Sequence, residues 1–422
     1  MKLFLWLGLG VALTSAALLA APADVKMIEV AGEGAKYWPR WRGPSGQGQV
    51  AAGQYTDKWG PTTSVWKVSV PGRGNSSPIV WGDRLFLTTG YNNGERLSML
   101  AYSRADGKLL WETNIPQNGV EYPHAKNGFA SATPATDGQY VYASFGRHGL
   151  VAFDFSGKIV WQHKFGIIDN YHGPAGSPVL YQDRIFIYQD ANPAPGQGAF
   201  VGAFDKKTGK PIWQTPRREN VGWGTAVVIT TGTRDELIVS SQGRVAAYDP
   251  DSGKELWNAR GMSSEVIPTP VVGHGLVFAS SGRAGPTLAI RPGGSGDVTS
   301  THVAWSSPRG SPFVPSGIIV GDLLYLVNDM QSILTVVEAA TGKPVYQDRL
   351  GVALREGFSA SPVHVNGKIY LTNDDGQTFV VEHGRTFKLL HVNELGEQTL
   401  ASPALVDGTW YWRTRSTLRA IR

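Results

Sequence analysis

Apolar and polar residues alternate in short runs along much of the chain, as in Arg84-Leu-Phe-Leu-Thr88, and such runs predict half-buried β-strands. Gly-Asp and Asn-Gly pairs fall between runs, as at Gly82-Asp83 and Asn366-Gly367, and predict hairpin turns. A further signal, Asp-x-x-Thr-Gly-Lys, predicts a tight turn between a third and a fourth strand. Each unit is therefore expected to hold about four antiparallel strands.

These units repeat. The clearest copies are Ala203-Phe-Asp-Lys-Lys-Thr-Gly-Lys-Pro-Ile-Trp213 and Ala247-Tyr-Asp-Pro-Asp-Ser-Gly-Lys-Glu-Leu-Trp257. Looser copies end at Trp111, at Trp161 with one residue fewer, and at Tyr346, where tyrosine replaces tryptophan. Ahead of each copy stands a small residue, often followed by proline, then apolar residues, a turn and a strand. Ser77-Pro78, Ser177-Pro178 and Ser361-Pro362 are the strongest of these signatures; Thr133-Pro134, Thr269-Pro270 and Ser402-Pro403 are weaker, and Gly224-Thr225 and Ser316-Gly317 lack the proline. Unit starts near residues 76, 131, 176, 223, 267, 314, 359 and 400 give about eight units at propeller-blade spacing.

One four-stranded sheet cannot bury both its faces, so the units must stack. The recurrent Trp66, Trp111, Trp161, Trp213, Trp257, Trp305 and Tyr346 are expected to wedge between neighbours. The fold expected is all-β: an eight-bladed β-propeller of four-stranded antiparallel blades. The last unit, Thr399 to Arg422, is too short for four strands. The run Thr63 to Val70, with Trp66, is expected to complete that blade and close the ring.

Composition changes the picture in three places. Among 422 residues there is no cysteine, which excludes disulfides, thiolate metal sites, cysteine nucleophiles and a lipid anchor on an N-terminal cysteine. A net charge of +5 without a basic run gives no support for a nucleic-acid partner. Residues 1–23 read as an export signal, with Lys2, the apolar run Leu3 to Ala20 and the small-x-small site Ala21-Pro22-Ala23. The expected organisation is a signal at 1–23, an N-terminal extension at 24–62 and one propeller domain at 63–422, monomeric, exported to the periplasm or beyond and not a lipoprotein.

The Ala-x-Asp-x-x-Thr-Gly-Lys-x-x-Trp copies resemble the bacterial proteins with pyrroloquinoline-quinone-like (PQQ-like) β-propeller repeats, which include the outer-membrane assembly propeller BamB and the quinoprotein alcohol dehydrogenases. Trp38-Pro-Arg-Trp41-Arg-Gly-Pro44 and the ending from Ala401 look like an exported branch of that family. The resemblance covers about Trp38 to Arg422. It implies the fold strongly and the function weakly, because one propeller supports many tasks. Two departures stand out: the vicinal cysteine pair of the alcohol dehydrogenases is absent, and so is the cysteine that BamB-type lipoproteins acylate.

No His-Glu-x-x-His, Gly-x-Ser-x-Gly or phosphate-loop motif occurs. Asp249-Pro-Asp251-Ser-Gly253 resembles the start of a calcium loop but coincides with the repeat turn. In a propeller the segments leading into the innermost strands converge on one face of the channel. Those segments carry Arg73, Asn75, His124, Asn127, His172, Arg218, Trp223, Glu265, Arg355 and Glu356, a mixed-charge rim expected to bind a small polar ligand or a partner, or to pair internally and hold the blades. Trp38, Trp41 and Trp59, outside the repeats, are expected to pin the extension across the propeller.

Two functions follow. The first is a non-catalytic binding or scaffold protein of the cell envelope, with an envelope protein or small polar ligand as partner and neither cofactor nor metal. The alternative is a quinoprotein-like oxidoreductase holding PQQ with calcium at the rim, with Glu265 or Glu356 as base and Arg73 or Arg355 stabilising negative charge. A hydrolase stands behind both. A rim filled by ion pairs argues against the quinone; an open pocket with an unpaired carboxylate argues for it.

Overall fold

The computed structural model describes residues 25–117, 119, 124, 126–168, 170–192, 198–351 and 357–422. Eight antiparallel sheets form an eight-bladed propeller. Blade 1 is typical: Ile79–Trp81, Arg84–Tyr91, Arg96–Ser103 and Leu109–Asn114 pair in chain order from the channel outward. Blade 4 has two additions, with Lys26–Met27 beside its innermost strand Val227–Thr230 and Gly296–Asp297 beside its outermost strand Glu255–Met262. Among the described residues no helix is long and apolar enough to cross a membrane.

The ring closes as the sequence suggests. Ala404–Val406, Thr409–Arg413 and Thr417–Ile421 make three strands of blade 8, and Trp66–Ser69 adds the fourth, with Trp66 opposite Ala420 and Ser69 opposite Thr417. The two ends of the propeller domain thus share one sheet, which leaves no open seam.

Between blades, each repeat aromatic meets the turn of the next blade. Trp111 packs on Gly157, Trp161 on Gly209, Trp213 on Gly253, Trp305 on Gly342 and Trp66 on Gly107, so closely that a Cβ at any of these glycines would lie within 2.7 Å of the ring. Their indole N–H groups donate to carbonyls of the same turns, as from Trp161 to Lys206 at 3.1 Å. The glycines all have positive φ, the conformation a side chain resists. Tyr346 lies against Phe387 of blade 7. Trp257 differs: blade 5 replaces the tight turn by Gly296–Asp297 and the four-residue helix Thr299–His302, and the indole instead donates to the buried Glu236 of its own blade at 2.7 Å.

A second set of contacts rings the channel. The Ser77 backbone N–H donates to Thr133 Oγ1, Thr133 to Ser177 Oγ, and Ser177 to Thr225 Oγ1, at 3.0 to 3.1 Å. Thr225 continues to Thr269, Thr269 to Ser316 and Ser316 to Ser361, at 3.0 to 3.3 Å. Ser361 donates to Ser402 at 2.8 Å, and Ser402 returns to Ser77 at 3.0 Å. The small hydroxyl residue at the head of each unit is therefore the joint between blades: its oxygen satisfies a backbone donor that would otherwise be buried alone.

Residues 25–62 run across the innermost strands of several blades, and Trp41 reaches the ring hydroxyl of Thr269. Trp38 exchanges two backbone hydrogen bonds with Val80 of blade 1, and Pro39 accepts from Thr136 of blade 2. Gln47 accepts from Val272 of blade 5, Gln49 donates to Ile319 of blade 6, and Val50 donates to His364 of blade 7. Trp38 is buried in the cluster shared by blades 1, 7 and 8, and Trp59 packs among Tyr370, Trp410 and Trp412. The extension thus satisfies innermost strand edges that no neighbouring strand covers.

Candidate functional site

Antiparallel strands reverse at every turn, so the segments leading into innermost strands share one face with the hairpins joining second to third strands. On that face a cavity of about 280 Å³ opens along the channel. Trp41, reaching in from the extension, and the ring hydroxyls line its inner end; Trp41 Nε1 donates to Thr269 Oγ1 at 3.1 Å. His124, His172, Trp223, Glu265, Arg283 and Phe313 line the sides.

The aromatic side is closely packed. The His124 and His172 ring centroids lie 4.6 Å apart, and His172 is 5.6 Å from Trp223 and 3.9 Å from Tyr171. Burial, and then the neighbouring His124, lower the His172 pKa from its ordinary value. Two amides and an indole fasten the loops. Asn75 donates to the Lys126 and Asn127 carbonyls, Asn127 donates to the His172 and Gly173 carbonyls, and Trp223 Nε1 donates to Asn170 Oδ1 and Gly173 O.

Two ion pairs adjoin these rings, with Glu265 beside Tyr171 and His172 and the Lys126 backbone N–H donating to His124 Nδ1 at 3.2 Å. Arg283 holds Glu265 through two contacts, one from Nη2 to Oε1 at 2.9 Å, and its guanidinium covers the Phe313 ring at 5.4 Å. The hydrogen bond to Glu265 raises the Arg283 pKa. Glu265 takes a positive φ of 58°, a left-handed conformation that costs a non-glycine residue about 1 kcal/mol or more. Lys126 reaches from the connection between blades 1 and 2 to Asp374 of blade 7, Nζ to Oδ2 at 2.9 Å. Behind Phe313, the Asp329 carboxylate accepts the Phe313 and Val314 backbone N–H groups, and burial pushes its pKa up to about 6.

Of the residues expected at the rim, Asn75, His124, Asn127, His172, Trp223 and Glu265 line the cavity. Arg73 and Arg218 are exposed and do not line it. Arg355 and Glu356 lie outside the described residues. The neighbour of Arg218, Arg217, is buried and pairs with Asp190 at 2.5 Å beside the mouth. Lys126, Arg283, Trp41 and the ring hydroxyls are the lining groups that reasoning from the innermost-strand approaches missed. Arg283 sits in a second-to-third hairpin, and strand alternation alone would have put that hairpin on the same face. Asp249 uses one carboxylate oxygen to accept from Asp251, Ser252 and the Ser252 hydroxyl, as a turn residue does. Among the described residues no three His, Asp or Glu side chains converge to hold a metal ion.

The sequence profile of the family described as outer membrane protein assembly factor BamB matches residues 60–192 and 100–348. The chain belongs to the BamB family of PQQ-like propellers. Its curated relatives include the tetrathionate hydrolase of Acidithiobacillus ferrooxidans, 24% identical over 85% of this chain and 67% of that one. The BamB of Bordetella pertussis is 25% identical over 49% of this chain and 63% of its own length. The chain thus spans about two thirds of the length of these relatives. Among solved structures, BamB from Moraxella catarrhalis has a TM-score of 0.59 at 14% identity, covering 85% of this chain and 96% of that one. A europium-containing methanol dehydrogenase has a TM-score of 0.66 at 12% identity, covering 89% of each. At such identities these two show the fold alone. Within this BamB-family member the chain's own extension reaches the inner end of the cavity through Trp41.

Proposed function

We propose that the protein is a non-catalytic binding propeller of the cell envelope that works through the cavity at the open end of its channel. The observation that carries this reading is the state of the cavity's charged groups. Glu265 is engaged by Arg283 and Lys126 by Asp374, while the Asn75 and Asn127 amides fasten loops. The wall is preorganised, and Glu265, the one carboxylate among its described residues, is not free to act as a base. Membership of a family described by an outer-membrane assembly factor supports an envelope setting.

The donor set does not fit PQQ with calcium. A calcium ion calls for several oxygen ligands, and Glu265, the one acidic residue among the described lining residues, already serves Arg283. A hydrolase is the second reading, favoured by the tetrathionate hydrolase that matches 85% of this chain.

The test is a thermal melt of the mature chain with the small-molecule fraction of an envelope extract, followed by mass spectrometry of what stays bound, repeated with Trp223→Ala. A bound compound that raises Tm, is recovered unchanged and is lost in the variant supports the binding protein. Turnover of tetrathionate by the intact chain would replace it with the hydrolase. A shift with PQQ and calcium would reopen the oxidoreductase.

A further inference from the structure

The ring of hydroxyls at the inner end of the cavity has a chemical polarity that its structural role leaves unused. Each oxygen accepts one backbone N–H from the preceding blade. Among the described residues none of the eight donates its own proton to a protein acceptor. Seven of the eight residues line the cavity; Ser402 does not. Two further lining residues, Ser131 and Ser359, have buried hydroxyl oxygens with no hydrogen-bond partner at all. Buried hydroxyls without partners are costly in a protein interior, and two beside a ring of idle donors make a site with unsatisfied hydrogen-bonding capacity.

We infer that this inner end is a seat for an oxyanion, the carboxylate or sulfonate end of a small ligand. The inference rests on the reading of the cavity as a binding site and names the chemistry it selects. A hydroxyl that accepts an N–H is polarised to donate more strongly, and all eight accept in the same sense around the ring. Neutral donors lining one cavity stabilise negative charge there, by the same physics as an oxyanion hole. Glu265, the one acidic residue among the described lining residues, is paired with Arg283, which offsets its charge. Trp223 and Phe313 then flank the body of a ligand whose anionic end points inward.

Ser131 and Ser359 make the inference testable without disturbing the blades, because neither hydroxyl holds a protein hydrogen bond. The experiment is isothermal titration of the mature chain with butyrate, propanesulfonate, sulfate and the neutral isostere butyramide. It is repeated with Ser131→Ala, Ser359→Ala and the double variant, and Tm is measured for each. Expected are binding of at least one anion, no comparable binding of butyramide, and a loss of about tenfold in affinity per hydroxyl removed, with Tm unchanged or higher. Carboxylate against sulfonate preference identifies which oxyanion the seat was built for, and binding of sulfate alone identifies a free inorganic anion. Equal binding of butyramide overturns the oxyanion seat while leaving the cavity a binding site. Unchanged anion affinity in the double variant overturns it also, as does absence of binding by every probe; the extract experiment above then decides the fate of the cavity separately.

Discussion

The backbone N–H of Ser402 donates to Ser77 Oγ at 3.0 Å across 325 positions of sequence, joining the last blade to the first. Both residues are buried, so no water replaces a lost partner. Ser77→Ala should leave the Ser402 donor unsatisfied and destabilise the propeller by about 1 to 3 kcal/mol. Ser77→Thr keeps the oxygen, as the ring itself does at Thr133, Thr225 and Thr269, and should cost less. Guanidinium unfolding midpoints of the two variants check this; equal losses would mean that the hydroxyl is not the joint.

The aromatic joints make a steric prediction. At Gly209, with φ of 69°, a Cβ would stand 2.4 Å from the Trp161 ring. Gly209→Ala therefore combines left-handed strain with displacement of the indole that docks blade 2 on blade 3, a loss of about 2 to 4 kcal/mol. Gly166, with φ of 84° and nothing near its Cβ position, bears the strain alone, and Gly166→Ala should cost only about 1 kcal/mol. Thermal melts of both separate packing from backbone strain, and similar losses would discount the Trp161 contact.

The scaffold was legible because its physics is local and repeated: a turn glycine, a tryptophan a few residues on, and a small hydroxyl residue at each unit head. Even the closing strand around Trp66 could be inferred, from a unit too short to make four strands. The cavity was half legible. His124, His172, Trp223 and Glu265 lie on the approaches to innermost strands, which topology brings together. Arg283 and Asp374 lie in hairpins with no shared sequence signature, and Trp41 comes from an extension without periodicity, so only the folded chain reveals their meeting. The serines and threonines were visible as a signature, but their partners are neighbouring backbones, which a one-dimensional pattern does not display.

Trp257 tests what happens where the joint changes. Its indole donates to Glu236, which is fully buried and also receives Arg234 Nε at 2.7 Å. Trp257→Phe removes a hydrogen bond to a buried carboxylate and should cost about 2 to 3 kcal/mol, whereas Trp213→Phe removes one to the Pro250 carbonyl and should cost about 1 kcal/mol. Denaturant unfolding of the pair checks the order, and a costlier Trp213→Phe would refute it.

Asp329 gives the pH prediction, and its sign is opposite to that of a salt-bridged acid. Burial raises its folded pKa to about 6, above a value of about 4 in the unfolded chain, so the folded state holds the proton more tightly. The favourable contribution is fully present below pH 4 and is lost as pH rises through 6, by an amount on the order of 2 to 3 kcal/mol. Asn keeps an oxygen for the Phe313 and Val314 N–H groups and carries no charge to desolvate. Asp329→Asn should therefore stabilise the protein at pH 8 by an amount of this order and be close to neutral at pH 4. Unfolding midpoints at the two values test it: an equal effect at both would show that the carboxylate is not the source of the difference. Phe313 and Val314 both line the cavity, so ligand affinity of the variant at pH 8 then reports whether easing this charge alters the wall they form.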